Sequence, residues 1–309
     1  MIYEYALEPG VVATWGEQLN ARFFIRAFGI AQGRYISCYP ENWEKKVRKI
    51  HAKKGNAKDR KRLITLLEHF GKTAMVKRKD YVWDYTRDSW FENALKEHER
   101  HPFHAILAKN NPAKNGYVIC ENDFDAPKCP QWDIPIGVSV LRTAQDLANA
   151  VKSMLFLCSW VRFVDPYINN ANKAYLDSFS EFFRLLCSQR QVGPPKSIEI
   201  HTQGYKHSAD HVEGKYKKII PTGMKVTLYG WQEKSDAEGL HNRYILTDLG
   251  GVKFGWGLDA GKRKGTSDDI NRLSEEQYNL RCTQYKEGGL DFEKIFGPVV
   301  IVGEKKIAV

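Results

Sequence analysis

Apolar positions along the chain repeat with two different periods. Between residues 43 and 70 the spacing is helical, and Leu63, Leu66, Leu67 and Phe70 form one stripe. This predicts two helices, Trp43 to Ile50 and Lys58 to Phe70, joined at Gly55-Asn56. The stretch "RDSWFENALKEHERH" predicts another, capped by Asp88 or Ser89. Further on, helical and strand-like runs alternate. Thr143 to Leu157 reads as a helix with Leu147, Ala150, Val151, Met154 and Leu155 on one side. "WVRFVDPYI" reads as a strand ending at Asp165-Pro166, and "NKAYLDSFSEFFRLLCSQ" as an amphipathic helix stopping before Gly193-Pro194-Pro195. "SIEIHT", "HVEGKYKKII" and "MKVTLYGW" continue as strand, weaker helix and strand. Two adjacent strands follow, Leu240–Thr247 and Val252–Trp256, with a tight connection over Asp248–Gly251.

Lys109 to Pro135 breaks this order with "NNPAKNG" and "DAPKCPQWDIP". Its prolines and Asn/Asp residues mark a boundary. The chain therefore divides into an α-rich basic N-terminal module, residues 1–135, and an α/β domain, residues 136–309. No internal repeat is present.

Composition adds limits. Of 309 residues, 42% are apolar and 12% aromatic, enough for real cores and against disorder. No apolar run approaches the roughly 18 residues of a membrane-spanning helix. "MIYEYALEPG" has acids and no basic leader, which argues against a secretory signal. The six cysteines form no Cys-x-x-Cys pair and read as reduced thiols of a cytoplasmic protein.

The net charge of +10 is concentrated. "EKKVRKIHAKKGNAKDRKR", Glu44 to Arg62, holds ten Lys/Arg against Glu44 and Asp59. Lys45, Lys46, Arg48, Lys49, Lys53, Lys54, Arg60 and Arg62 are candidate contacts to nucleic-acid phosphates. The other readings are a solvated helical face, or attraction to an acidic membrane surface.

Candidate chemistry lies in "GLHNRYILTDLGGVKFGWGLD". On a strand, His241 and Arg243 would share a face, while Asp248 has the opposite parity and would fix the turn. Gly255 and Gly257 would share a face of the next strand and leave a bare floor for phosphate. An imidazole can attack or protonate, and a guanidinium can hold two phosphoryl oxygens. Asp165 ends a strand, where it would orient His241 or cap the following turn.

The spacing His241-x-Arg243-x4-Asp248-x6-Gly255 resembles the phospholipase D superfamily motif, His-x-Lys-x4-Asp-x6-Gly-Ser-x-Asn. The resemblance implies a phospholipase D-like sheet flanked by helices, with His241 as nucleophile and Arg243 in place of the phosphate-holding lysine. Trp256 and Leu258 stand where the motif has Ser and Asn. "LHNRY", the Gly-Leu-Asp ending and "VDPYI" are also similar to the phospholipase D-like C-terminal domain of MIT-domain proteins, whose members bind phospholipid headgroups and are regarded as catalytically silent. Bacterial relatives with the same ending resemble components of anti-phage defence systems. The resemblance thus implies either a nucleic-acid phosphodiesterase in bacterial defence or a silent domain binding nucleic acid, phospholipid or a partner protein, such as another defence component. The superfamily chemistry uses two histidines and needs no metal or other cofactor. A single His-x-Arg stretch then requires a homodimer.

Weaker features are the Glu199/His201 pair, which reads as exposed, and Glu275 or Glu276 as a late catalytic acid. His98, His101 and His104 with Cys120 and Cys129 lack standard zinc spacing.

Overall fold

Short apolar runs in the first 135 residues, too brief to show a period, pair into a sheet. In the computed structural model, residues 1–306 are described apart from 87–88, 122, 124–127, 169–171, 189, 205–207, 262 and 290; for Lys54 and Ser208 only the backbone is described. The chain divides into two compact units: Ile2–Pro135 with Gln191–Gly193, and Met1 with Ile136–Arg190 and Pro194–Val309.

The first unit is built on β1 (Tyr3–Leu7), β2 (Arg34–Ser37), β3 (Met75–Val76), β4 (Ala105–Ala108) and β5 (Val118–Cys120). All pairs are parallel, in the order β3-β2-β1-β4-β5. The helices hold most of the regular structure, in line with the α-rich expectation, which leaves out this sheet. The strands are two to five residues long and mostly buried on both faces, so they read as plain apolar runs rather than as an alternation. The helices are α1 (Pro9–Val12), α2 (Gln18–Phe24), α3 (Trp43–Lys54), α4 (Ala57–Thr73) and α5 (Trp90–Arg100). Tyr5, Leu7 and Ile36 pack on one face with Trp43, Val47 and the α4 stripe Leu63, Leu66, Leu67 and Phe70. Ala6, Ile106 and Ala108 pack on the other with Tyr39, Phe103 and Ala94 of α5. Asn56 caps α4 by accepting from the Asp59 N–H, and Ser89 caps α5 by accepting from Glu92. Asp88, the other candidate cap, lies outside the described residues.

The second unit carries β6 (Gly137–Leu141), α6 (Ala144–Ala150), α7 (Lys152–Leu157), β7 (Trp160–Val164), α8 (Lys173–Cys187), β8 (Ser197–Gln203), α9 (Ser208–Tyr216), β9 (Lys225–Glu233), β10 (Arg243–Thr247), β11 (Gly250–Phe254), β12 (Ser267–Arg272), α10 (Glu275–Gln284) and β13 (Phe292–Val302). Its mixed sheet runs β13-β9-β8-β7-β10-β11-β12-β6. The single helix expected over Thr143–Leu157 is two, because Val151 leaves helical geometry at φ −112°, ψ 7°. On α8, Phe179, Phe182 and Phe183 pack around Phe163 of β7, with centroids 5.1 to 6.3 Å apart. Both units are thus α/β. Among the described residues, no helix is long and apolar enough to cross a membrane.

Candidate phosphate site at one end of the mixed sheet

β7 ends at Val164, and β10 runs antiparallel to it from Arg243. Tyr244 pairs with Val164, so one step beyond the ladder Arg243 comes opposite Asp165. Asp165 is fully buried. Its Oδ1 accepts from the Tyr167 N–H at 2.9 Å and the Tyr175 hydroxyl at 3.2 Å; its Oδ2 accepts from the Leu258 N–H at 2.9 Å. Burial raises its pKa above the usual carboxylate value, against the pull of the two N–H groups, Arg243 and Tyr175. Asp165 therefore ties three segments together and does not orient His241.

The glycines serve the same carboxylate system. β11 ends at Phe254, so Gly255 and Gly257 lie beyond the strand, not on one of its faces. The Gly255 and Trp256 N–H groups donate to Asp268 Oδ1 at 2.9 and 3.2 Å. A Cβ on Gly255 would lie 2.7 Å from that oxygen. Gly257 has φ +155°, and a Cβ there would lie 2.8 Å from Asp259 Oδ1 and 3.2 Å from Asp165 Oδ2. Asp259 pairs with Arg142 at 2.6 Å. The expected bare floor is occupied by buried acids, and the Gly255 N–H is committed to Asp268.

Asp268 gives a pH test. Burial lifts its pKa above the usual value despite the donated N–H groups. The folded state therefore holds its proton more tightly than the unfolded state. Its contribution to stability is greatest below the unfolded pKa of about 3.9, falls as pH rises through the folded value, and is flat above. The Asp268→Asn variant keeps an oxygen for both N–H groups and should lack this decline. Urea midpoints of the two proteins across about pH 3 to 7 should converge at the acid end and separate with rising pH. A constant difference would sink the assignment.

Arg142 also has a buried Nε without a partner and lies over a ring, that of Trp256, but Asp259 holds its charge; Arg243 has no such carboxylate among the described residues. Its guanidinium lies over the Tyr167 ring at 5.0 Å, and its buried Nε has no hydrogen-bond partner. No ion pair to it exists among the described residues. His241 is exposed and precedes β10 rather than lying on it, since the ladder opens at Arg243. The strand expected from Leu240 opens only at Arg243, and Leu240 to Asn242 are still loop. The His241 ring has no hydrogen-bond partner among the described residues and rests against Gly239, where a Cβ would lie 2.8 Å from Cδ2.

Asp248 sits at the other end of β10 and accepts from the Ser159 N–H and hydroxyl at 2.7 and 2.8 Å, fixing the entry to β7. The Glu199/His201 pair is not exposed as expected. His201 is buried; its Nδ1 accepts from Trp231 Nε1 at 3.0 Å, so its Nε2 carries the proton and donates to Glu199, 3.1 Å away. Glu275 and Glu276 lie in the first turn of α10, where acids complement the helix dipole. His98 stacks on Tyr117 and His104 reaches the Gln131 carbonyl. No group of three metal-ligating side chains occurs among the described residues.

Tyr167, Tyr175, Arg142 and Asp268 were missed at the level of sequence. Asp268 was findable, since it shares strand parity with Ile270 and so points inward with an apolar neighbour.

In the first unit, Lys45, Lys49, Lys53 and Arg60 are exposed. Three other expected contacts are engaged internally. Lys46 lies over Trp83 at 4.0 Å, and burial lowers its pKa. Arg48 pairs with Glu44 and Arg62 with Asp59, at 2.6 and 2.7 Å. The Lys54 side chain lies outside the described residues. No protein-family model matches the chain, and no curated protein matches it.

Proposed function

We propose that the second unit holds a phosphate ester at Arg243 and that the protein engages nucleic acid, with the cations of α3 and α4 supplying further phosphate contacts. The observation that carries this reading is the Arg243 guanidinium, stacked on Tyr167 with an unpaired Nε. A buried N–H without an acceptor costs about 1–3 kcal/mol, which an arriving anionic oxygen would recover. The His-x-Arg-x4-Asp spacing and the Gly257-Leu258-Asp259 ending agree with a phospholipase D-like domain of the defence-associated type. Recognition without cleavage is the better-supported form, because His241 has no orienting partner and Asp165 is fully committed elsewhere.

Binding of a labelled oligonucleotide tests this. Arg243→Ala should weaken binding by about tenfold or more, as expected for loss of a charge-assisted hydrogen bond, and Arg243→Lys should retain part of it. Unchanged affinity in Arg243→Ala would reject the site.

Hydrolysis is the second reading, favoured by the exposed His241 two residues from Arg243. It requires a second imidazole for the leaving oxygen, hence a homodimer that brings two His241 rings to one phosphorus. Cleavage that survives excess chelator, disappears in His241→Ala and accompanies a dimer in sedimentation would establish it. A monomer that cleaves would defeat the paired-histidine mechanism.

A further inference from the structure

The first unit's sheet begins in its middle. From β1 the chain moves outward to β2 and β3, then returns to place β4 and β5 on the other side. The connections after β1 and β4 therefore leave in opposite directions, and such a switch point opens a crevice beyond the strand ends. A cavity of about 490 Å³ lies there, lined by Glu17, His51, Gly55, Lys109 and Glu121, with Val11 and Ile50 as apolar wall. This size falls within the range of about 300–1,000 Å³ for small-molecule pockets.

His51 shows that the crevice is chemically incomplete. It is 6% exposed, and its Nδ1 lies 2.8 Å from the Ala13 carbonyl. A carbonyl only accepts, so the proton is on Nδ1 and Nε2 keeps a lone pair. That Nε2 is buried and has no partner. Gly55 makes room for it, since a Cβ there would overlap the imidazole.

The surroundings specify what is missing. Glu17 and Glu121 are exposed acceptors without a partner among the described residues, and Lys109 is the one free charged donor among the lining residues. The Asp59 carboxylate is already taken by Asn56 and Arg62. Acceptors exceed donors, and the carboxylates repel phosphate. We propose that this crevice binds a hydroxyl-rich small molecule of the nucleoside class, with one ligand hydroxyl donating to His51 Nε2 and the base against Val11 and Ile50. This site is separate from Arg243 and does not depend on the phosphate reading.

The test titrates the full chain with adenosine, guanosine, cytidine and uridine, followed by calorimetry and by the ¹⁵N resonance of His51 Nε2. At least one nucleoside should bind saturably and move that resonance. Glu121→Gln, at an exposed position, should fold normally and bind about tenfold more weakly, because its remaining amide oxygen is an uncharged acceptor, and His51→Phe should lose more, having given up its acceptor altogether. If His51→Phe does not fold, the resonance and Glu121→Gln decide. The proposal is overturned if no nucleoside binds, or if binding leaves both the His51 resonance and the Glu121→Gln affinity unchanged.

Discussion

The Arg78→Ala variant loses about 3–5 kcal/mol of stability, the usual effect of removing one partner from a buried charge cluster. Arg78 lies between two carboxylates: Nε and Nη2 reach the Glu4 oxygens at 2.9 and 2.7 Å, and Nη1 reaches Glu97 at 2.8 Å. The Arg78 and Glu4 side chains are 1% and 5% exposed, and Glu97 is 0% exposed. The guanidinium also donates to the His101 carbonyl and covers the Phe103 ring. These bonds join β1, α5 and the segment after β3 on one face of the parallel sheet. Without the guanidinium, the buried Glu4 carboxylate loses both of its donors, and Glu97 keeps the Val82 N–H at 3.0 Å and Arg100 at 3.5 Å. Domains are stable by only about 5–15 kcal/mol, so the loss approaches unfolding of this unit. Urea denaturation measures it. Combining Arg78→Met with Glu4→Gln and Glu97→Gln should recover much of the deficit, because the charges are removed together. A loss below about 1 kcal/mol in the single variant would mean that water or relaxation replaces the cation.

The parts of this fold that were legible in the sequence are those with a period long enough to count. The α4 stripe and the α8 phenylalanines repeat over several turns and are buried as their spacing demands. The N-terminal sheet was hidden because β3 is Met75–Val76 alone and β1 is apolar almost throughout. At the candidate site, Asp248 and Arg243 are apart because they stand at opposite ends of β10, a matter of strand length and not of face. The glycines could not be read from parity either. Their partners, Asp268 of β12 and Asp165 just past β7, come from other parts of the chain, and only the folded register shows that Gly255 and Gly257 yield space to carboxylates. Likewise, charge density marked Lys45 to Arg62 as a unit, but Trp83, which engages Lys46, lies far along the chain.

That division among the cations sets the other large effect. Lys45, Lys49 and Lys53 recur every four residues, so they line one side of α3, and Arg60 stands in the first turns of α4. All four are exposed. A protein cation that meets a duplex phosphate releases a counterion, and log K falls with log salt by about 0.9 per contact. Replacing these four by alanine should flatten the slope by about 3 to 4 and lower duplex affinity roughly 10³-fold at about 0.1 M salt. Replacing Lys46 and Arg48 instead should change the slope much less, because one is held over Trp83 and the other by Glu44. Fluorescence anisotropy over a salt series compares the two variants directly. Equal slopes in the wild type and the four-alanine variant would make this surface a solvated face. Retained binding to acidic vesicles, with none to nucleic acid in either protein, would assign the same charges to a membrane surface, where the field is alike but the regular spacing of phosphates along a duplex is absent.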